Sequence, residues 1–173
     1  MLLILHIRTM LAEANKVCYN HGVSRYARLI KPLDGGANMQ ESGEMYLESI
    51  LVLSQKDAPV RSLDVARYLN VSKPSVSRAM AILKTGNYVE IDSRGYITLL
   101  ESGRQIAEKI YERHVVLSKF FIALGVDKET AEEDACRIEH VISDKTFETV
   151  KKYMAEKGIP LSAGKEKPSQ TKW

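Results

Sequence analysis

The chain has 173 residues, 45% of them hydrophobic, which is enough to bury one or two cores. Its net charge of +3 is only mildly basic, so charge alone is weak evidence for a nucleic-acid partner. Two widely spaced cysteines argue against a disulfide framework, and the longest apolar run, residues 1–5, is too short to span a bilayer. We therefore expect a cytoplasmic protein with no membrane partner.

The charge is unevenly distributed along the chain. Residues 39–55 carry three acidic and no basic side chains, residues 56–113 carry ten basic and seven acidic ones, and residues 114–156 carry six basic and nine acidic ones. A basic middle between acidic flanks is the pattern expected of a DNA-facing module beside a cation-binding one.

Residues 1–38 do not match the segment that follows them. They end in a run rich in Gly, Pro and Asn, and a strongly periodic segment opens at Met39. We interpret residues 1–38 as a leader or extension outside the core, with Met39 as the natural start. A genuine N-terminal extension is the alternative.

The next segment has the signals of three helices. Apolar residues at helical spacing predict a first helix over 41–54. Ser62 is predicted to cap a short second helix that runs to Leu69, and Asn70 to turn the chain in the left-handed conformation. Ser72 is predicted to cap a third helix, with Pro74 in its first turn.

A β-hairpin is predicted after the third helix. The strand-like segments 88–91 and 96–99 flank the turn sequence Asp-Ser-Arg-Gly at 92–95. Helix, tight turn, helix and hairpin is the order of a winged helix-turn-helix. We therefore predict a winged-helix DNA-binding domain over residues 39–100.

The remaining segment is predicted to be entirely helical. Thr98 and Glu101 have capping-box spacing and open a long helix to about residue 124. Asp127 is predicted to cap a helix to about 142, and Ser143 to restart a last helix to about 157. We predict a helical domain over 101–157 and a disordered tail over 158–173.

The outward face of the third helix has the chemistry of a major-groove reader. Short hydroxyl groups fit against phosphates, and an arginine can bond a guanine edge with two hydrogen bonds. The alternative is that this face is ordinary solvated helix surface. The candidate DNA-binding residues, including one at the tip of the hairpin, are Ser72, Lys73, Pro74, Ser75, Ser77, Arg78, Lys84 and Arg94.

A second constellation lies near the predicted end of the helix that follows Asp127. Cys136, Glu139 and His140 stand at i, i+3 and i+4, so a helix over this segment projects them from one face. Thiolate, carboxylate and imidazole groups are ligands of divalent transition metals. Because one helix rarely completes a coordination sphere, further ligands are sought on other helices, and the candidates are Met45, Glu48 and His114.

These candidates also have structural interpretations. Met45 in an amphipathic helix is typical of a core residue, and a lone Cys136 is typical of an inert buried one. His114, beside Arg113, has the alternative of a solvated side chain.

Four segments carry a resemblance to a known family: Glu-Met-Tyr-Leu-Glu at 44–48, Ser-Lys-Pro-Ser-Val-Ser at 72–77, Tyr-Glu-Arg-His at 111–114, and Asp-Ala-Cys-Arg-Ile-Glu-His-Val-Ile-Ser-Asp at 134–144. Through them, residues 39–156 resemble the diphtheria-toxin-repressor and manganese-transport-regulator family of metal-dependent repressors. The resemblance implies a mainly α fold, with a winged helix-turn-helix followed by an all-helical dimerisation and metal-binding domain.

The resemblance also implies site residues. Met45, Cys136, Glu139 and His140 fall on the regulatory metal site of the iron-responsive branch. Glu48 and His114 fall on ligands of the manganese branch, and His114 also matches an ancillary ligand of the iron branch. On the third helix, Arg78 takes the place of a base-contacting glutamine.

The chain departs from both branches. Ser118 replaces a glutamate of the iron branch's ancillary site and Glu132 replaces a histidine, so Glu132 stays a candidate ligand. The segment after residue 157 is expected to be too short for the SH3-like domain of the iron branch. The soft donors Met45 and Cys136 favour Fe(II) over Mn(II), whereas Glu48 adds a hard oxygen.

We therefore expect a metal-activated transcriptional repressor rather than an enzyme. Fe(II) is the expected corepressor and Mn(II) the alternative, while Co(II), Ni(II) or Zn(II) are expected to bind in vitro. The partners would be a second copy of the chain and a palindromic operator in double-stranded DNA. The alternatives are a metal-independent winged-helix regulator, a small metalloenzyme and a protein-interaction module.

Overall fold

The structure, a computed structural model, describes residues 38–55 and 58–161. Residues 1–37 of the predicted leader over 1–38, and residues 162–173 of the predicted tail over 158–173, therefore lie outside it. Its elements, in chain order, are α1 (Asn38–Ser54), β1 (Val60–Arg61), α2 (Ser62–Leu69), α3 (Lys73–Thr85), β2 (Val89–Ile91), β3 (Tyr96–Leu99), α4 (Glu101–Ala123), α5 (Lys128–Ile138) and α6 (Asp144–Glu156). None of the described helices combines the length and the hydropathy needed to cross a bilayer.

Helix α1 is the central helix. Every side chain from Met45 to Leu53 is buried, because α2, α3, α4, β1 and β3 all pack against this helix. A helix surrounded in this way buries polar as well as apolar side chains, and two of its buried residues are Glu48 and Ser49. The Ser49 hydroxyl donates to the Tyr46 carbonyl oxygen at 2.7 Å, within the helix itself.

Helices α2 and α3 form the predicted helix-turn-helix. Asn70 joins them with φ of 54°, the left-handed conformation that asparagine tolerates. The Ser72 hydroxyl accepts from the Ser75 backbone N–H and caps α3. Val76 is fully buried and Ala66 nearly so, which closes the small core between the two helices.

The wing is a three-stranded antiparallel sheet in the order β1-β3-β2. Strand β3 pairs with β2 through Val89 and Leu99, and with β1 through Val60 and Ile97. The predicted turn at 92–95 joins β2 to β3, and Gly95 takes the positive φ of 80° that this turn requires.

Helix α4 packs against the winged-helix half of the fold at its first turn. A Cβ atom on Gly103 would lie 2.2 Å from the Tyr88 carbonyl oxygen, so only glycine permits this approach. The Ser102 hydroxyl donates to the Asn87 carbonyl oxygen at 2.7 Å, and the Leu100 N–H donates to the Tyr88 carbonyl oxygen at 2.9 Å.

Two hydrophobic clusters divide the described core. The larger one joins α1, α2, α3 and the sheet to the first half of α4. The smaller one lies between α4 and α6, around Val116, Phe147 and Met154. Ile159 and Leu161, which sequence analysis assigned to the tail, pack against the smaller cluster because they are apolar and follow α6 directly.

The predicted fold class, a mainly α chain with a winged helix-turn-helix followed by a helical domain, is confirmed. Two predicted helix caps are wrong. Ser62 is already the first residue of α2, whose N-cap is Arg61, and the Arg61 N–H donates to the Asp64 carboxylate at 2.9 Å. Thr98 lies inside β3, where it pairs with Glu90, so Leu100 is the N-cap of α4.

Candidate metal centre and DNA-facing surface

The turn after α5 carries two of the predicted ligands, and it is not helical as predicted. Helix α5 ends at Ile138, four residues before the predicted end. Ser143 takes an extended conformation, with ψ of 148°, and its hydroxyl accepts from the Thr146 N–H to start α6. Glu139 and His140 therefore lie in the turn between α5 and α6.

The turn brings its carboxylate and imidazole to the central helix. One ligand atom from each of Glu48, Glu139 and His140 lies within 4.8 Å of the other two. In the described part of the chain, this is the one group of three or more His, Cys, Asp or Glu side chains with such spacing. The group joins α1 to the turn after α5 and therefore links the two halves of the fold.

The buried carboxylate of Glu139 indicates that the group fits a cation. The side chain is completely buried, and its Oε1 atom has no hydrogen-bond partner. The His140 Nε2 atom lies 3.5 Å from Oε1, which is too long for a good hydrogen bond. A buried carboxylate with an unsatisfied oxygen is costly unless a cation compensates it. A divalent metal ion held by Glu48, Glu139 and His140 would supply that compensation.

Two further side chains orient these groups. His114, buried on α4, has its Nδ1 atom 2.8 Å from Oε2 of Glu139. Glu44, on α1, has its Oε2 atom 3.1 Å from Nδ1 of His140. Sequence reasoning identified His114 but missed Glu44. The available signal was its position one helical turn before Glu48, which places both carboxylates on one face of α1.

The remaining predicted ligands lie outside this group of three. Met45 is buried in the larger hydrophobic cluster. Cys136 is half-buried and packs against the same cluster, and Glu132 is half-buried one turn before it on α5. The roles of Met45, Cys136 and Glu132 as ligands stay predictions.

The predicted DNA-facing side chains of α3 form a basic surface. The helix has three basic residues and no acidic one. Ser75 is half-buried, and the exposed candidates of this surface, together with the N-cap, are Ser72, Lys73, Pro74, Ser77, Arg78 and Lys84. The geometry is therefore compatible with the predicted contacts, which stay predictions.

The wing places Arg61, which was not among the predicted DNA-facing residues, beside the same aromatic ring as the predicted Arg94. The Arg94 guanidinium lies 5.2 Å from the centre of the Tyr96 ring, and the Arg61 guanidinium lies 4.6 Å from the same ring. Arg61 is close to Arg94 because β1 pairs with β3, a long-range pairing that the two-residue strand does not signal. Backbone N–H groups of the turn, first that of Tyr96, lower the pKa of Asp92, so this carboxylate stays charged beside Arg94.

Two family profiles match the sequence, one over each half of the described chain. Residues 38–96 match the family profile described as "Iron dependent repressor, N-terminal DNA binding domain". Residues 100–157 match the profile "Iron dependent repressor, metal binding and dimerisation domain". The chain belongs to the iron-dependent repressor family.

Two proteins named as transcriptional regulators are similar to most of the described chain. An HTH-type transcriptional regulator of Methanocaldococcus jannaschii is 35% identical over 118 residues, which cover 67% of this chain and 94% of that protein. The transcriptional regulator MntR of Escherichia coli O157:H7 is 30% identical over 122 residues, covering 70% of this chain and 79% of MntR.

Two solved structures agree with the fold. The structure of the manganese regulator SloR superposes with a TM-score of 0.60 at 27% identity. The match covers 68% of this chain and 54% of SloR, so the chain spans about half the length of SloR. The T. acidophilum IdeR structure gives a TM-score of 0.56 at 26% identity and covers 65% of this chain and 53% of that chain.

Proposed function

We propose that this protein is a metal-dependent transcriptional repressor in which a divalent metal ion, acting as corepressor, controls binding to operator DNA. The observation that carries the proposal is the convergence of Glu48, Glu139 and His140 within 4.8 Å, at the place where the central helix meets the second half of the fold. As part of this proposal, the protein acts in the cytoplasm and has no catalytic role.

The chain's own residues suggest how the signal passes. Glu48 lies on α1, which packs against both α2 and α3 of the helix-turn-helix. Glu139 and His140 lie in the turn that follows α5. A bound metal would supply positive charge that neutralises the buried carboxylates. With its carboxylate neutralised, Glu48 would hold α1 against the turn and fix the orientation of the DNA-reading helix.

Two domains are part of the proposal. Residues 39–100 would read DNA, and residues 101–157 would form a homodimer and supply most of the ligands. The profile that residues 100–157 match, described as a metal binding and dimerisation domain, supports the homodimer. A dimer would present two reading helices about one DNA turn, roughly 34 Å, apart, which suits a palindromic operator.

Fe(II) is the proposed corepressor and Mn(II) is the alternative. Two carboxylates and one imidazole form a hard donor set that suits either ion. Fe(II) is favoured if the Cys136 thiolate joins the coordination sphere, whereas Mn(II) is favoured if it does not. The substitution Cys136→Ser therefore discriminates, because it should weaken Fe(II) binding much more than Mn(II) binding.

The test of the proposed function is fluorescence anisotropy on DNA from upstream of the protein's own gene, under anaerobic conditions and at fixed salt. We expect tight binding with Fe(II) or Mn(II) and weak binding with chelator. Equal binding in chelator would contradict the metal dependence and support a metal-independent winged-helix regulator. Absence of salt-dependent DNA binding under every condition would instead support a protein-interaction module.

A further inference from the structure

Arg113, on α4, is a buried cation beside the candidate metal centre. Its side chain is only 8% exposed. The Nη1 atom donates to the backbone carbonyl oxygen of Glu139 at 2.8 Å, and the Nη2 atom donates to Oδ1 of Asp144 at 2.5 Å. Its guanidinium carbon also lies 5.8 Å from the centre of the Phe147 ring on α6. One guanidinium therefore contacts both ends of the turn that carries Glu139 and His140.

The two groups that accept hydrogen bonds from Arg113 lie at helix ends, where unpaired backbone groups favour one sign of charge. Glu139 follows the last residue of α5, where carbonyl oxygens lack partners within the helix and a positive charge is favourable. Asp144 is the first residue of α6, where a negative charge is favourable. Arg113 donates to the Glu139 carbonyl oxygen at the end of α5 and neutralises the Asp144 carboxylate at the start of α6. These two contacts fix the distance between the two helix ends.

We propose that Arg113 is a positioning residue for the metal centre. It holds the backbone of the turn over residues 139–143 so that the Glu139 and His140 side chains face Glu48. This inference rests on the proposed metal site. Arg113 contacts Glu139 through a backbone atom, so it occupies neither carboxylate oxygen of that residue and leaves Oε1 to face a cation. Partners of this kind typically contribute 10- to 100-fold to metal affinity.

Lys109 provides a matched control on the same helix. Its Nζ atom lies 3.0 Å from Oδ1 of Asp144 and 3.2 Å from Oδ2, so it pairs with the same carboxylate as Arg113. The Lys109 side chain is 56% exposed, and in the described part of the chain its hydrogen bond goes to Asp144 and not to Glu139. Substitution of Lys109 therefore removes a charge beside Asp144 without removing the contact to the turn backbone.

The experiment compares the full-length wild type with Arg113→Lys and Lys109→Gln. Mn(II) affinity is measured from the EPR signal of the free ion, and unfolding by urea is measured in chelator. Arg113→Lys keeps the charge but loses the planar fork that reaches two acceptors at once. We expect it to weaken Mn(II) affinity about 10- to 100-fold, whereas Lys109→Gln changes it less than about twofold.

The outcomes separate this inference from the proposed function. If Arg113→Lys lowers stability in chelator but binds Mn(II) like Lys109→Gln, Arg113 is merely structural and the inference is wrong. If the wild type binds neither Mn(II) nor, under anaerobic conditions, Fe(II), the proposed function and the inference both fail. Should Arg113→Lys not fold, Asp144→Asn removes the charge that anchors the same guanidinium. Unchanged Mn(II) affinity in that variant would overturn the inference.

Discussion

The Nδ1 atom of His114 lies 2.8 Å from Oε2 of Glu139, and neither side chain is appreciably exposed to solvent. The imidazole comes from the middle of α4 and the carboxylate from the turn after α5, so the contact spans 25 residues of sequence. Because one carboxylate oxygen is occupied by His114, the other, Oε1, is the oxygen left to face a cation.

Substitution of His114 tests this contact. His114→Ala leaves the buried carboxylate without its partner, and we expect the free energy of unfolding in chelator to fall by about 1–3 kcal/mol. His114→Asn is the control, because its amide nitrogen takes the approximate position of Nδ1 and should restore part of the loss. Urea unfolding followed by circular dichroism measures both. Equal stability of the wild type and His114→Ala would show that the contact does not stabilise the fold.

Gly103 and Gly43 offer a matched pair of substitutions on two helices. A Cβ at Gly103 would lie 2.2 Å from the Tyr88 carbonyl oxygen, so Gly103→Ala must push α4 away from the wing and should destabilise the protein by about 1–3 kcal/mol. At Gly43 the nearest atom would be 3.9 Å away, and Gly43→Ala in α1 should stabilise it by about 0.4–1 kcal/mol. Thermal unfolding measures both signs. The packing account would be contradicted if the two variants shifted the midpoint in the same direction.

Features that depend on neighbouring residues were predictable from the sequence. The caps Ser72, Asp127 and Ser143 are as predicted, because each side-chain oxygen accepts from a backbone N–H three residues later. The left-handed Asn70 is also as predicted, since its conformation follows from its own side chain and the end of α2.

Features that depend on distant residues were not predictable. The ligand-bearing turn is fixed by Arg113, 26 residues before Glu139, and His140 is oriented by Glu44, 96 residues before it. Because hydrophobic periodicity does not register such distant contacts, the prediction extended α5 to about residue 142 instead of Ile138. It also placed Cys136 on one helical face with Glu139 and His140. Glu44 has a single local signal, its position one helical turn before Glu48, and Arg113 has no local pattern that distinguishes it from a surface charge. Packing is therefore what identifies both residues.

Substitutions of Arg78 and Arg94, two of the exposed arginines on the predicted DNA-facing surface, should differ in effect. Arg78, in α3, is predicted to contact a base, so Arg78→Ala should lose about 1–3 kcal/mol of binding and relax base preference at one position. Arg94, in the wing turn, is predicted to contact phosphate or the minor groove. Arg94→Ala should reduce the slope of log affinity against log salt by about 1 without changing base preference. Anisotropy with operator variants measures both effects.

Lys152→Ala is the control for these arginines, because Lys152 is an 80% exposed basic residue on α6, outside the winged helix. It should leave both the affinity and the salt slope unchanged. An effect of Lys152→Ala as large as that of Arg94→Ala would indicate a general charge effect and contradict the proposed DNA-facing surface.

Asp127 gives a pH dependence with a defined sign. The Thr130 backbone N–H, followed by the Thr130 hydroxyl, lowers the pKa of Asp127 below its ordinary value of 3.8. The charged cap therefore stabilises the fold above pH 3.8, and this contribution is lost as the pH falls through the lowered pKa. Asp127→Asn keeps a capping oxygen that does not titrate.

The measurement is urea unfolding of wild type and Asp127→Asn between pH 6 and pH 3. We expect a constant difference in midpoint at the upper end of this range, in favour of the wild type. The difference should shrink as the pH falls below 3.8, where the wild-type carboxylate begins to take up a proton. A difference that grows on acidification would contradict the account of this cap.

The central claim is that a metal bound by Glu48 and the turn after α5 controls DNA binding. The most direct test compares operator affinity, with Mn(II) or Fe(II) and with chelator, in the wild type, Glu48→Gln and Glu156→Gln. Glu156 is an exposed glutamate at the end of α6 and serves as the control. We predict that metal strengthens binding about 5- to 150-fold in the wild type and Glu156→Gln, but hardly at all in Glu48→Gln. An equal gain in all three proteins would contradict the claim.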